Sequence, residues 1–212
     1  RDEQRYEKQL INQDGVDIWN IHELFWVDKK GHAYHDEVSI HIPAQSPNTV
    51  ESKSLKLFIN SLIHQRFVNL DDVKNVIKFH LERLLDAEIS IGKVHKKVST
   101  SHHQVITNSE LKLLFTTKGQ TKLKGFRGFR SLCPVTSQPD IAEIFIDGNI
   151  HDKDLDRVSS YLGSFFKREC FHELCIEYIY SDLIKAGFDI KKVEGYFERR
   201  GGIAIIPIRY SQ

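Results

Sequence analysis

Methionine is absent from the 212 residues, and cysteine is scarce: Cys133, Cys170 and Cys175 are the only three, with no CxxC pair. An odd, sparse set of thiols argues against a disulfide framework and fits a reduced, cytoplasmic chain better. Long apolar runs are missing too. None approaches the ~18 residues of a membrane-spanning helix, and the stretch from Arg1 onward lacks the apolar core of a signal peptide. Charge of one sign is not in excess. With 30 basic and 29 acidic residues the net charge is +1, which drives the chain toward neither nucleic acid nor an anionic membrane. No GxGxxG follows a strand, which excludes the Rossmann mode of holding a dinucleotide. No His/Cys/Glu set has ligand spacing, so no metal is expected. With no methionine and an arginine as first residue, parts of the gene product are expected to lie outside this sequence.

What is present is the balance of a globular protein, 40% hydrophobic and 28% charged. Residues 17–27 read as a strand, Lys29-Lys30-Gly31 as a turn, and Ala33 to Ile42 alternates as a second strand. After Pro43 and Pro47 the period changes. Leu55, Phe58, Ile59 and Leu62 form one helical stripe, and Val73, Val76, Ile77 and Leu81 a second, opened by Asn69 to Asp72. Glu88 to Val94 returns to strand. His95 to Ser109 is polar and patternless, a linker between halves 1–108 and 109–212. In the second half Ile141 to Ile146 is a strand, 152–166 and 171–186 are helices, and 190–197 and 203–208 are strands. The order predicts an α+β fold with antiparallel sheets and helices on one face. The halves can be laid on each other in sequence, Asn60-Ser61-Leu62 on Gly163-Ser164-Phe165, read as an internal duplication, with two similar helical hairpins by chance as the alternative.

Four motifs carry chemistry. In Glu51-Ser52-Lys53-Ser54-Leu55-Lys56-Leu57, Lys53 and Lys56 share the face opposite the apolar stripe. Lysines and free amides at a helix N-terminus suit a phosphate; from composition alone a solvated basic face is the commoner account. In Leu132-Cys133-Pro134-Val135-Thr136-Ser137-Gln138-Pro139-Asp140, two prolines stiffen a loop bearing a thiol and a carboxyl, the parts of a covalent mechanism. A lone cysteine is also often just a small buried hydrophobe, as Cys175 is read to be. Phe171-His172-Glu173 offers a stacking face, a titratable imidazole and an acceptor for the N–H edge of a purine. Arg199-Arg200-Gly201-Gly202 joins a tight turn to two phosphate-seeking side chains, and equally fits a solvated hairpin. The run Lys118, Lys122, Lys124, Arg127 and Arg130, with Phe126 and Phe129, has a weak single-stranded nucleic-acid character.

In this order the four motifs resemble the two-domain form of the QueF family, the 7-cyano-7-deazaguanine reductases of queuosine biosynthesis. The likeness runs from about Val16 to Tyr210. It implies tandem tunnelling-fold (ββααββ) units, usually as a homodimer, with NADPH as cofactor, a deazapurine as substrate, and no direct contact with nucleic acid or membrane. By the resemblance Cys133 attacks the nitrile to give a thioimide, Asp140 supplies a proton to the nitrile nitrogen, and His172 donates later. Glu173, Glu51 and Phe171 hold the deazaguanine. Ser52, Lys53, Ser54 and Lys56 match the NADPH motif, and Arg199, Arg200, Gly201 and Gly202 join them. Ile141 departs from the tryptophan expected there. Each half keeps what the other lacks: Asp154-Leu155-Asp156 stands in the slot of Glu51-Ser52-Lys53, and Phe67-Val68-Asn69 in that of Phe171-His172-Glu173. Neither half is therefore expected to work alone. Two rival readings are a QueF-like amidinotransferase, which needs no NADPH, and a purine-binding module without catalysis.

Overall fold

The structure, a computed structural model, describes Leu10 and residues 13–100, 103–106 and 122–211, without the side chains of residues 122, 199 and 200. The chain forms two compact units. Val16–Lys96 and Arg199–Ala204 belong to the first; Leu10–Gly15, Lys97–Glu198 and Ile205–Gln212 belong to the second.

In the first unit the alternating segments become β1 (Asp14–Asp28) and β2 (Ala33–Pro43), antiparallel, with a bulge between Ile21 and Leu24. Trp19 stands opposite Ile40 and Ile21 opposite Val38 on one face. These residues are buried, as are Leu55 and Ile59 of α1 (Ser52–Ser61) and Val73, Ile77, Leu81 and Leu85 of α2 (Leu70–Leu85). Burying each such side chain contributes about 1.5–3 kcal/mol. β3 (Arg66–Phe67) runs parallel to the end of β1, and β4 (Ser90–Gly92) lies antiparallel along β2. Asn69 caps α2, accepting from the Asp72 amide at 3.0 Å, while the Asp72 carboxylate accepts from the Val68 amide at 3.0 Å. That reciprocal cap is why the chain turns into a helix there.

The β1–β2 turn is organised by Asp28, whose carboxylate accepts from the Lys30 and His32 amides at 2.8 and 2.9 Å and lies 3.0 Å from His32 Nδ1. Burial pushes this carboxyl up, but the His32 and Lys30 hydrogen bonds and the His32 charge outweigh it, holding the group at about 2 against an ordinary 3.8. A depressed carboxyl stabilises the folded state above its unfolded value and loses that contribution as pH falls through its folded value. Asp28→Asn should therefore melt below the parent near neutrality, and the difference should shrink as pH is lowered from about 4 to about 2. Thermal melts across that range check it.

After the short β5 (His103–Val105), the second unit runs β6 (Lys122–Leu132), β7 (Pro139–Gly148), α3 (Leu155–Gly163), α4 (His172–Lys185), β8 (Ile190–Arg200) and β9 (Ile203–Tyr210). From β6 onward this is the full ββααββ order. The α+β class, antiparallel sheets and helices of the tunnelling-fold unit are thus present. β6, β7 and β8 are antiparallel neighbours, and β9 pairs with β8. α4 lies against one face of this sheet. A Cβ on Gly195 of β8 would stand 2.5 Å from Ile176 of α4, so the contact needs a glycine.

Two elements differ from the sequence reading. The basic-aromatic run is a strand, β6, with Phe126 and Phe129 fully buried; Lys118 lies outside the described residues. The patternless linker contributes β5, which pairs parallel to β6. Its pairing partner lies some 20 residues away, so nothing in its own three residues announces it.

The two segments aligned in the sequence share a local feature. α1 and α3 both run directly into a 3-10 turn, at Leu62–His64 and Ser164–Lys167. The two aligned serines make the same bond: Ser61 Oγ donates to the Phe58 carbonyl at 2.7 Å, and Ser164 Oγ to the Tyr161 carbonyl at 2.6 Å. Among the described residues no helix is long and apolar enough to cross a membrane.

Candidate active site

The residues singled out in the sequence fall into two groups, one in each unit. In the second unit, β6 and β7 stay paired up to Leu132 opposite Pro139, so Cys133 to Gln138 form the loop between them. The loop is closed by backbone bonds: Cys133 N–H to the Gln138 carbonyl and Ser137 N–H to the Cys133 carbonyl, both 2.8 Å. This leaves the Cys133 thiol half-buried at the end of β6. Ser131, two residues before it, stands opposite Asp140 at the start of β7. Asp140 is 5% exposed, and its Oδ2 lies 3.5 Å from His172 Nε2, an ion-pair distance.

His172 opens α4. Its ring meets Phe197 of β8 edge-on, centroids 4.5 Å apart at 85°, which leaves the Asp140 side as its polar direction. Phe171 is the N-cap residue, extended at φ −63, ψ 152, without a side-chain cap bond. Glu173 follows in the first turn, 3% exposed, where the positive end of the helix favours a carboxylate. Cys133, Asp140, His172 and Glu173, up to 40 residues apart in sequence, thus belong to one loop, one strand start and one helix start of the same unit. A thiol, a carboxyl, an imidazole and a buried carboxylate in this arrangement can perform nucleophilic addition with proton transfer. Cys170 and Cys175 are buried, and burial pushes the Cys175 thiol well above its usual range, which disfavours the thiolate.

In the first unit Glu51 caps α1. Its carboxylate accepts from the Lys53 and Ser54 amides at 2.8 Å each, the Ser54 hydroxyl at 2.9 Å and the Ser52 hydroxyl at 3.5 Å. Burial raises this group, but those four hydrogen bonds together hold it below the ordinary carboxylate range. This corrects one element of the sequence reading. The Lys53 and Ser54 amides, read among the free backbone N–H groups open to a phosphate, are taken by Glu51, and the lysines remain to attract an anion by charge. Lys53 is exposed, and Lys56 lies across the β8–β9 turn: a Cβ built on Gly201 would stand 2.4 Å from Lys56 Nζ. Two motifs some 140 residues apart in sequence therefore meet. Gly201 and Gly202 have φ of +56 and +84, the left-handed pair that a two-residue hairpin turn requires. The side chains of Arg199 and Arg200 lie outside the described residues.

Sequence reading missed Glu23. It sits at the bulge of β1, and its carboxylate oxygen would be 2.6 Å from a Cβ on Gly202. A bulge has no signature in one strand's residues, because it is defined by the partner strand. Gly202→Ala is expected to lose about 1–3 kcal/mol from the left-handed strain alone, and more from the Glu23 clash. Gly128→Ala, at φ +86 but with nothing within 4 Å of its Cβ, should lose only the strain. Comparing the two melting temperatures checks the difference.

Lysine charge beside a glycine turn that leaves no room for a side chain fits a group bearing phosphates. Among the described residues no three His, Cys, Asp or Glu could hold a metal ion.

Comparison with known proteins identifies the family. The profile of the family described as nitrile reductase, 7-cyano-7-deazaguanine-reductase N-term, matches residues 1–93, and that described as QueF-like protein matches residues 139–212. The NADPH-dependent 7-cyano-7-deazaguanine reductase of Desulfotalea psychrophila is 34% identical over 216 residues, covering 92% of this chain and 78% of the relative. Those of Bordetella avium and Burkholderia vietnamiensis are 32% and 31% identical over 214 residues, with the same coverage. With both profiles matched in order and relatives above 30% identity along nearly its whole length, the chain belongs to the 7-cyano-7-deazaguanine reductase (QueF) family.

Proposed function

We propose that this chain reduces the nitrile of 7-cyano-7-deazaguanine to the aminomethyl group with NADPH, through a covalent thioimide on Cys133, in queuosine biosynthesis. The single observation that carries the reading is the Asp140–His172 pair, with Asp140 at the start of the strand that follows the Cys133 loop: two groups able to transfer protons, 3.5 Å apart, one of them on the strand that leaves a thiol-bearing turn. The Cys133 sulfur adds to the nitrile carbon, one C≡N π bond becomes an N–H bond, and Asp140 delivers that proton. Hydride is what NADPH supplies when bound, twice for a four-electron reduction. Departure of the Cys133 thiolate from the carbon after the first reduction leaves an imine, and His172 gives a proton as the imine becomes the amine. Glu173 accepts from the N–H edge of the deazaguanine, Phe171 packs on its ring, and Glu51 makes a further contact in exchange for its Ser54 hydroxyl bond. Ser52, Ser54, Lys53, Lys56 and the Arg199-Arg200-Gly201-Gly202 turn hold NADPH, the lysines by charge. The enzyme acts in the cytoplasm as a homodimer on the free deazapurine, not on nucleic acid.

The test is stoichiometry. Purified protein with excess NADPH and limiting nitrile should consume two NADPH per nitrile and yield the amine. A nitrile that forms a protein adduct without NADPH oxidation would move the assignment to the amidinotransferase reading, and no adduct at all to a binding module.

A further inference from the structure

Four ties join the end of β6 and the loop after it to the stretch that leads into α4. Arg130 donates to the Phe166 carbonyl, the Leu132 amide to the Arg168 carbonyl at 2.9 Å, and the Cys170 amide to the Leu132 carbonyl at 2.9 Å. The fourth is a side-chain bond: Ser137 Oγ donates to Glu169 Oε1 at 3.0 Å. Cys133 follows Leu132 directly, and Phe171 follows Cys170 directly, so these ties fasten the nucleophile's segment to the segment that opens with Phe171-His172-Glu173. Within the loop Ser137 stands out. Its φ is +53, and the only other described non-glycine residue with a positive φ is Asp86. A side chain makes that conformation costly, so something must hold it. The Ser137 amide closes the loop onto the Cys133 carbonyl, and the next residue's carbonyl receives the Cys133 amide. If Ser137 relaxed out of the left-handed region, both bonds flanking Cys133 would turn with it.

We infer that Glu169 is a positioning residue: its bond to the Ser137 hydroxyl holds the left-handed turn that fixes the Cys133 backbone relative to Asp140 and His172. The role rests on Cys133 being the nucleophile, as in the function proposed above. A glycine at position 137 adopts the same conformation without help, which makes the inference separable from a general structural role. Glu169→Ala should slow addition of Cys133 to the nitrile about tenfold, with substrate affinity unchanged. Ser137→Ala should show the same deficit, and the two together no more than either alone. Adding Ser137→Gly to Glu169→Ala should restore the rate, although the hydroxyl and the carboxylate are both gone. Glu169→Gln, which keeps an acceptor, should also restore most of it.

The experiment is single-turnover addition of 7-cyano-7-deazaguanine, followed by protein mass, in the full-length variants. Iodoacetamide labelling of Cys133 against pH is measured in parallel. Labelling needs no nitrile chemistry, so a parent that never forms the adduct overturns the proposed function, while the labelling profiles still report the clamp. Equal rates in the parent and Glu169→Ala overturn the inference. So does a deficit that Ser137→Gly leaves unchanged.

Discussion

Cys133→Ala is expected to lose nitrile turnover by a factor of at least about 10⁴, the order seen when a covalent nucleophile is removed. NADPH oxidation and the protein mass increase with 7-cyano-7-deazaguanine should vanish together, because both depend on one C–S bond. Stability should barely change. Cys133 is half-buried in a surface loop whose bonds, Cys133 N–H to Gln138 and Ser137 N–H to Cys133, are made by backbone. Alanine keeps both. Calorimetry of the variant therefore serves as the control: an unchanged melting temperature with no adduct assigns the loss to the thiol. A variant that still forms the adduct would remove Cys133 from the mechanism.

The second large effect concerns stability. In the second unit Arg209 of β9 donates from Nη2 to Glu177 Oε1 of α4 at 2.7 Å, with both side chains fully buried. Arg209 also donates to the Ile208 carbonyl at 2.8 Å. A buried pair is not strongly favourable in itself, since desolvation offsets the attraction, but removing one partner leaves an uncompensated charge in the core. Arg209→Met should destabilise the protein by about 3–5 kcal/mol, lowering the melting temperature by roughly 6–20 °C for a chain of this size. Glu177→Met together with Arg209→Met should recover most of that loss, because the charge to be neutralised has gone. Glu177 lies one helical turn after Glu173, so the single variant should also weaken substrate binding through misplacement of α4. The double variant separates packing from charge. If it melted as low as Arg209→Met alone, the cost would lie in lost volume and not in the buried carboxylate.

Residue order alone determined much of this protein. The stripes Leu55/Ile59 and Val73/Ile77/Leu81 become buried helix faces, and Val38, Ile40 and Ile42 a buried strand face, because a period of 3.6 or 2 survives any tertiary arrangement. Asn69 announced the start of α2 for the same reason: a cap is made by residues three apart. The two prolines around Cys133 dictate a non-helical loop by themselves, because a ring-locked φ and a missing N–H need no distant partner to act. What the tertiary structure decided depends on partners distant in sequence. Gly125 and Gly128 and four basic residues concealed β6, which is a strand because β7 pairs with it through a bulge. The Glu51 carboxylate caps α1, a task more often given to Ser, Thr, Asp or Asn, and this was not legible in the sequence. That Lys56 lies on Gly201, that Glu177 finds Arg209, and that Asp140 stands 3.5 Å from His172 follow from packing alone. Periodicity and caps are written in neighbouring residues, while charge pairs and catalytic distances are set by chain segments that meet only after folding.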